Sequence, residues 1–451
     1  MGTLFPKDFL WGTETSSFQS EGGLTLGDRG PSIWDFSESH LPKGDFLKNG
    51  PDSLNHIDED IALLKELGVK AFRMSLSWTR ILPDGAGKIS TFGIDLYKTI
   101  FHKLLNAGIE PWVTIFHWDY PLALEKEGGW SNPDSPKWFA NYCEVVGRAF
   151  SGLISHYILM NEPQCFVELG YFTGEKAPFK KLSRLEVLNI GHNALKGAAL
   201  GAKALRAVSS IPLSLGMAET YSSPYPEDEN DLHDIEAAEL ATEAFTNRLF
   251  CLPWWGDASY LGVYPDNWVK GFDVGFKGNA LECLGDYDFF GLNLYNGFPV
   301  KSSQNGFALV DKAGIERNSL GWGITPKAIS FAASYCASRY GKPVYITENG
   351  VTLFDKVEDG KVKDSRRSKF LDDYLLELSK AIKKGADVRG YFYWSFLDNL
   401  EWEQGYAPRF GLIYTDYQNG AKRIKKDSFA HYSSIISSSG ETLLDDSAKI
   451  H

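Results

Sequence analysis

The fold predicted by this sequence is α/β, a single closed (β/α)8 barrel with loop insertions at the carboxyl ends of its strands. Three observations predict it. Short apolar runs rich in β-branched and aromatic residues recur eight times, each followed by a longer segment of helical period, as parallel βα units require. No break in composition divides the 451 residues, and a barrel with insertions reaches that length as one domain, here 1–451. The alternative, a doubly wound open sheet, wants a Gly-rich phosphate turn after an early strand. Neither G-x-G-x-x-G nor G-x-x-x-x-G-K-[ST] is present.

Taken in order, the first strand is expected in DFLWGTET (8–15), with a helix in IALLKELG (61–68) before the second run, AFRMSLSW (71–78). EPWVTIFHW (110–118) and YILMN (157–161) supply the third and fourth, and a Leu-Ala-rich helix at 185–207 leads to the fifth, PLSLGMAE (212–219). DFFGLNLY (288–295) and PVYITE (343–348) are the sixth and seventh, and FLDDYLLELSKAIKKG (370–385) is the helix before the eighth, RGYFYWSF (389–396). The longest loops, around 38–54 and 297–325, are expected at the barrel mouth or as lids, and the tail 437–451 is expected to be loose.

Composition excludes several functions. Hydrophobic residues at 43% and charged residues at 23% describe an ordinary globular chain with a large core and no need of disulfides. Five widely spaced cysteines without a C-x-x-C pair fit a reducing compartment. No charged start with an apolar run precedes Phe5, and no stretch of 18 apolar residues occurs, so a cytoplasmic location is expected. A net charge of −12 repels nucleic acid and anionic lipid, so neither is an expected partner. The 13 Trp serve core packing or the apolar faces of ligands such as sugars.

A barrel of this kind places its active site at the carboxyl ends of the strands. Those ends carry Gln19 and Glu21, Arg73, His117 and Trp118, Asn161 and Glu162, Asn293 and Tyr295, Glu348, then Trp394, Glu401 and Trp402. Nearly every end being polar or aromatic suggests one lined pocket. Glu162 after YILMN and Glu348 after YIT stand in matching context on the fourth and seventh strands, nearly opposite across a barrel. Paired carboxylates suit glycoside hydrolysis, with retention at a separation of about 5–5.5 Å and inversion at about 6.5–9.5 Å. Arg73 and Tyr295 are candidates to keep Glu348 ionised, although Arg73 reads equally as a structural ion-pair partner; Glu162, in an apolar stretch, suits a raised pKa. There is no H-x-H and no H-E-x-x-H, and His117 is the only strand-end histidine, so no metal is expected. A Schiff-base lysine at a strand end and a G-x-S-x-G elbow are both missing.

FLWGTETSSFQSEGG (9–23), FRMSLSWTRILPDG (72–85), FHWDYPLALEKEGGW (116–130), MNEP (160–163), DFFGLNLYN (288–296), YITENG (345–350) and YWSFLDNLEWEQGY (393–406) together resemble glycoside hydrolase family 1. The resemblance runs in order from about Phe5 to about Tyr432. It implies that Glu162 is the acid/base and Glu348 the nucleophile, supported by Arg73 and Tyr295. It further implies that Gln19, His117, Asn161, Glu401 and Trp402 bind sugar hydroxyls, with Trp118 and Asn293 in the same substrate-binding set, and that Trp394 is the platform under the ring. Neither a cofactor nor a metal is implied. Family members acting on 6-phosphoglycosides carry Ser where Glu401 stands and hold phosphate where Pro408 and Phe410 stand here, so a non-phosphorylated sugar is favoured. SLNHI (53–57) and Gln164 depart from the common family pattern, the second beside the acid/base. The expected activity is that of a retaining, exo-acting β-glucosidase with possible β-galactosidase or β-fucosidase activity, its partner a small β-glycoside or short oligosaccharide. A transglycosidase and a non-catalytic sugar-binding relative are the alternatives.

Overall fold

The structure, a computed structural model, describes residues 3–244, 250–265, 275–311 and 313–447. Eight parallel strands close into a barrel in chain order: β1 Leu10–Thr15, β2 Ala71–Ser75, β3 Glu110–Phe116, β4 His156–Asn161, β5 Ser214–Thr220, β6 Phe289–Asn293, β7 Val344–Asn349 and β8 Val388–Tyr393, with β8 pairing β1. All eight expected runs become these strands. Helices pack outside them: α1 Ile57–Leu67, α2 Thr91–Asn106, α3 Ser135–Ala149, α4 Arg184–Val208, α5 Leu232–Ala244, α6 Lys327–Tyr340, α7 Ser365–Lys383 and α8 Asp427–Ser437. The entry to α4 shows why the chain turns helical where it does. Ser183 accepts a hydrogen bond from the Glu186 N–H while the Glu186 carboxylate accepts from the Ser183 N–H, satisfying two donors that the first turn would otherwise leave bare.

The two-residue period of a strand sorts the barrel interior into layers. The lowest is apolar: Ala71, Trp112, Ile158, Ala218, Phe289 and Phe392 form one cluster, with Leu10 and Tyr345 packed on it, so every strand contributes one side chain. Trp112 fills the centre, its ring 4.8–5.4 Å from those of Phe289, Tyr345 and Phe392. Two or more residues further along the same faces the interior turns polar, with Glu14, Arg73, Thr114, Thr347 and Asn293 all buried. This apolar floor under a polar layer seats the site.

Two regions differ from the sequence reading. Within 297–325, Gly297–Ser303 and Gly306–Leu309 pair as an antiparallel hairpin, and the first also pairs with Ser223–Pro226. Phe298, Val300 and Phe307 pack against Ala238 and Ala241 of α5, apolar alternation that a loop would waste. In the tail, Thr442–Ser447 forms a short helix and Leu443 is buried; 448–451 lie outside the described residues. The 38–54 segment carries two short 3-10 turns and packs Leu47 against Leu400 and Tyr406, beside the eighth strand end.

Candidate active site

At the carboxyl ends of the strands a cavity of about 330 Å³ opens. Gln19, His117, Trp118, Asn161, Glu162, Tyr295, Glu348, Trp394, Glu401 and Trp402 line it; Arg73 and Asn293 sit beneath, bonded to the lining residues. Glu21 does not join them. Its carboxylate accepts from Arg80 and from the Tyr97 hydroxyl, which fastens the segment after β1 to the β2–α2 region.

Both carboxylate-bearing strands are irregular where the carboxylate stands. β7 shifts register against β6 between Ile346 and Glu348 and against β8 between Ile346 and Asn349; β4 shifts against β5 between Ile158 and Asn161. Such bulges re-aim side chains next to active sites. Beyond its bulge, Glu162 adopts a left-handed backbone with φ 46°, held by its N–H donating to the Ala218 carbonyl at 2.8 Å. Trp118 and Trp402 also have positive φ, so three cavity residues occupy a region that side-chain-bearing residues rarely visit.

Glu348 is buried and doubly held. Arg73 Nη1 donates to its Oε1 at 3.0 Å and the Tyr295 hydroxyl to its Oε2 at 2.6 Å. Burial and the nearby Glu162 charge push its carboxyl up, while Arg73 and the Tyr295 hydrogen bond pull it back. The Tyr295 phenol is pushed well above its ordinary range by burial and by the Glu348 charge, which keeps it a donor. Among the described residues Glu162 has no cation in hydrogen-bond contact. Its Oε1 accepts from Asn293 Nδ2 at 3.0 Å, and burial raises it against weaker pulls from Asn293, Cys165, Arg73 and Lys176. Two neighbouring buried carboxyls hold one proton between them more readily than none or two, and Arg73 with Tyr295 favours the charge on Glu348 and the proton on Glu162.

Asn161 ties both halves together. Its Oδ1 accepts from Arg73 Nη2 at 2.5 Å and from Asn293 Nδ2 at 3.0 Å, and its Nδ2 lies 3.2 Å from His117 Nε2. Burial and Arg73 hold His117 well below its usual pKa, so a neutral ring accepts at Nε2 and carries its hydrogen on Nδ1. Trp118 donates from Nε1 to the Asn161 carbonyl at 2.9 Å and stacks on Trp402, centroids 4.6 Å apart. Gln19 is fixed by Ser16, Asn399 and the Leu400 carbonyl. Glu401 is half-buried, and desolvation pushes it up to about 7.

Several lining residues escaped the sequence reading. Leu169, Lys176, Tyr221, Phe250 and Trp322 form much of the outer wall. They come from segments outside the eight strands, and no period marked them; Trp322 in GWG was the one visible signal. Lys176 is held over the Trp118 ring by Glu403 at 2.7 Å.

Comparison with known proteins came out the same way by sequence and by structure. The sequence profile of Glycosyl hydrolase family 1 matches residues 1–441. The 1,4-beta-D-glucan glucohydrolase of Thermotoga neapolitana is 37% identical over 97% of this chain and 99% of its own length. Beta-glucosidase A of Thermotoga maritima is 36% identical over 97% and 98%. Among solved structures, the Thermotoga maritima beta-glucosidase in complex with glucoimidazole superposes with a TM-score of 0.87 at 35% identity, covering 97% of this chain and 99% of that one.

Proposed function

The chain belongs to glycosyl hydrolase family 1 and is a glycoside hydrolase, and from that premise we propose how its cavity works. The activity is that of a retaining β-glycosidase of the β-glucosidase type, acting on β-O-glycosides by double displacement. Glu348 attacks the anomeric carbon while Glu162 gives its proton to the departing glycosidic oxygen. The C–O bond to the aglycone breaks and a glycosyl ester on Glu348 forms. Glu162, now a carboxylate, takes a proton from water, whose oxygen attacks the same carbon and releases Glu348. Asn161, bonded by Arg73 and Asn293, holds the 2-hydroxyl in this reading, and Trp394 serves as the platform under the ring. Gln19, His117, Glu401 and Trp402 read the remaining hydroxyls, with Trp118 backing Trp402. A carboxylate at Glu401 opposes a phosphorylated sugar.

The observation that carries these roles is the asymmetry of the two buried carboxyls: only Glu348 is bonded by a guanidinium and a phenol, only Glu162 by a neutral amide. The test is hydrolysis of 4-nitrophenyl β-glucoside followed by proton NMR. The first-formed sugar should be the β-anomer, and Glu348→Ala should release no nitrophenol while keeping a cooperative thermal melt. Turnover by that variant, or an α-anomer first, would remove Glu348 as nucleophile. In a kcat/KM panel, β-glucoside should exceed 6-phospho-β-glucoside; the reverse would overturn the reading of Glu401.

A further inference from the structure

A third carboxyl lies against the same arginine, and the mechanism above does not use it. Glu14, inward on β1, is 1% exposed, and its Oε2 accepts from Arg73 Nη1 at 2.5 Å. That nitrogen carries two hydrogens. It has three acceptors: Glu14 Oε2, the Thr347 carbonyl at 2.7 Å and Glu348 Oε1 at 3.0 Å. The hydrogens are over-subscribed, and the nucleophile has the longest contact. Resting on the roles proposed above, we propose that Glu14 is a positioning residue that takes a share of the Arg73 guanidinium from Glu348 and so sets the pH at which the nucleophile ionises.

The surroundings of Glu14 leave it no other counter-ion among the described residues. Facing it are Arg73 from β2, Glu162 after β4, Tyr295 after β6, Glu348 from β7, Tyr391 from β8 and Tyr432 from α8. Burial keeps the three phenols neutral, with values raised well above their ordinary range. Arg73 is therefore the cation that Glu14 and Glu348 share, while Glu162 also feels Lys176. Among the described residues Glu14 Oε1 has no hydrogen-bond partner, so the hydrogen bonding of this carboxyl comes through Arg73. Burial, followed by the charges of Glu348 and Glu162, drives Glu14 well above the usual carboxylate range, and Arg73 opposes them. When Glu348 becomes a glycosyl ester it loses its charge, which leaves Glu14 as the carboxyl in contact with Arg73 Nη1 that can still carry one.

The sign follows. Negative charge on Glu14, and its claim on Nη1, both raise Glu348, whose ionised form is needed for attack. Removing that charge should move the acid limb of kcat/KM to lower pH, by about one unit for a charge at contact distance. The measurement is the pH profile of kcat/KM on 4-nitrophenyl β-glucoside for the unaltered enzyme, Glu14→Gln and Glu14→Ser. Beside it runs the pH dependence of Glu348 labelling by 2,4-dinitrophenyl 2-deoxy-2-fluoro-β-glucoside, read by peptide mass spectrometry. Labelling reports nucleophile ionisation even in a variant with weak turnover, and Glu14→Ser removes bulk if the amide does not fold. Both acid limbs should shift down together. A lower Tm with an unmoved limb would make Glu14 a structural partner of Arg73 only, and an upward shift would equally overturn the proposal. Labelling of Glu348 in the unaltered enzyme with an unmoved limb defeats this inference alone. Neither hydrolysis nor labelling in the unaltered enzyme defeats the proposed function and this inference with it.

Discussion

One proton divided between Glu162 and Glu348 decides whether the cavity can react, and single side chains decide where that proton sits. Both carboxyls are raised, chiefly by burial, so both limbs of the kcat/KM bell should lie above the ordinary carboxylate range. Acidification protonates Glu348 and stops attack; alkalinisation strips Glu162 and stops leaving-group protonation. Tyr295→Phe tests this at one atom. It removes a 2.6 Å hydrogen bond to the nucleophile, so the acid limb should move up and kcat should fall about 10–100-fold, the worth of a hydrogen bond to a charged group. An unchanged acid limb in that variant would mean that Tyr295 does not hold the ionised nucleophile. Glu162, Glu348, Arg73 and Tyr295 were legible in the sequence because chemistry at a barrel mouth recurs at strand ends, a place that periodicity locates. Lys176 and Phe250 were not, since nothing periodic locates a loop side chain in space. In DFLWGTET, Glu14 is legible only as part of a strand; that it faces inward follows from Leu10, which lies on the apolar floor two turns of the pleat below.

The strands themselves were the most readable elements, because each buries apolar side chains over five to seven residues. Their bulges were not readable, since a shift of one residue at a strand end breaks the alternation too briefly to register. Yet the bulge in β7 is what turns Glu348 toward the cavity. YITENG shows the difference. Asn349-Gly350 reads as a turn pair, but Gly350 is not among the residues with positive φ; a Cβ there would stand 1.8 Å from the Trp394 carbonyl oxygen. The glycine is required by a close backbone approach between the ends of β7 and β8, which the Trp394 N–H to Asn349 carbonyl bond of 2.9 Å fastens. Gly350→Ala should therefore pry the nucleophile's strand from the strand end that carries Trp394. A displacement near 1 Å predicts a fall of about 100-fold in kcat/KM together with a lower Tm, read from initial rates and a melting curve. Wild-type kcat/KM in the variant would show that the two ends tolerate separation.

Across the molecule, burial of carboxyls beneath and around one cavity couples function to stability. The net charge of −12 was legible from composition, but not that Glu219 in PLSLGMAE would end wholly buried against Gln164. Gln164 lies 2.5 Å from Glu219, the two joining the ends of β4 and β5 beside the Glu162 turn. Glu219 Oε1 has no partner among the described residues, and burial pushes the carboxyl up to about 8; Glu401 is pushed up to about 7. A carboxyl whose folded pKa lies above its unfolded value stabilises the fold fully below the unfolded value, and that contribution is lost as pH rises through the folded one. His117 acts in the other direction: its folded value is depressed, so it costs stability only as pH falls below the ordinary histidine value of about 6.5. Above that point His117 is silent and the carboxyls govern. Tm should therefore fall as pH rises from about 6.5 through about 8, where Glu401 and then Glu219 are forced to ionise inside the fold. Glu219→Gln keeps a hydrogen-bonding side chain opposite Gln164 without a titratable proton, so its Tm should fall less steeply over the same window. Scanning calorimetry at several pH values checks both, and a Tm that rises across the window, or equal slopes for the two proteins, would show that Glu219 is not the buried acid that limits stability on the alkaline side.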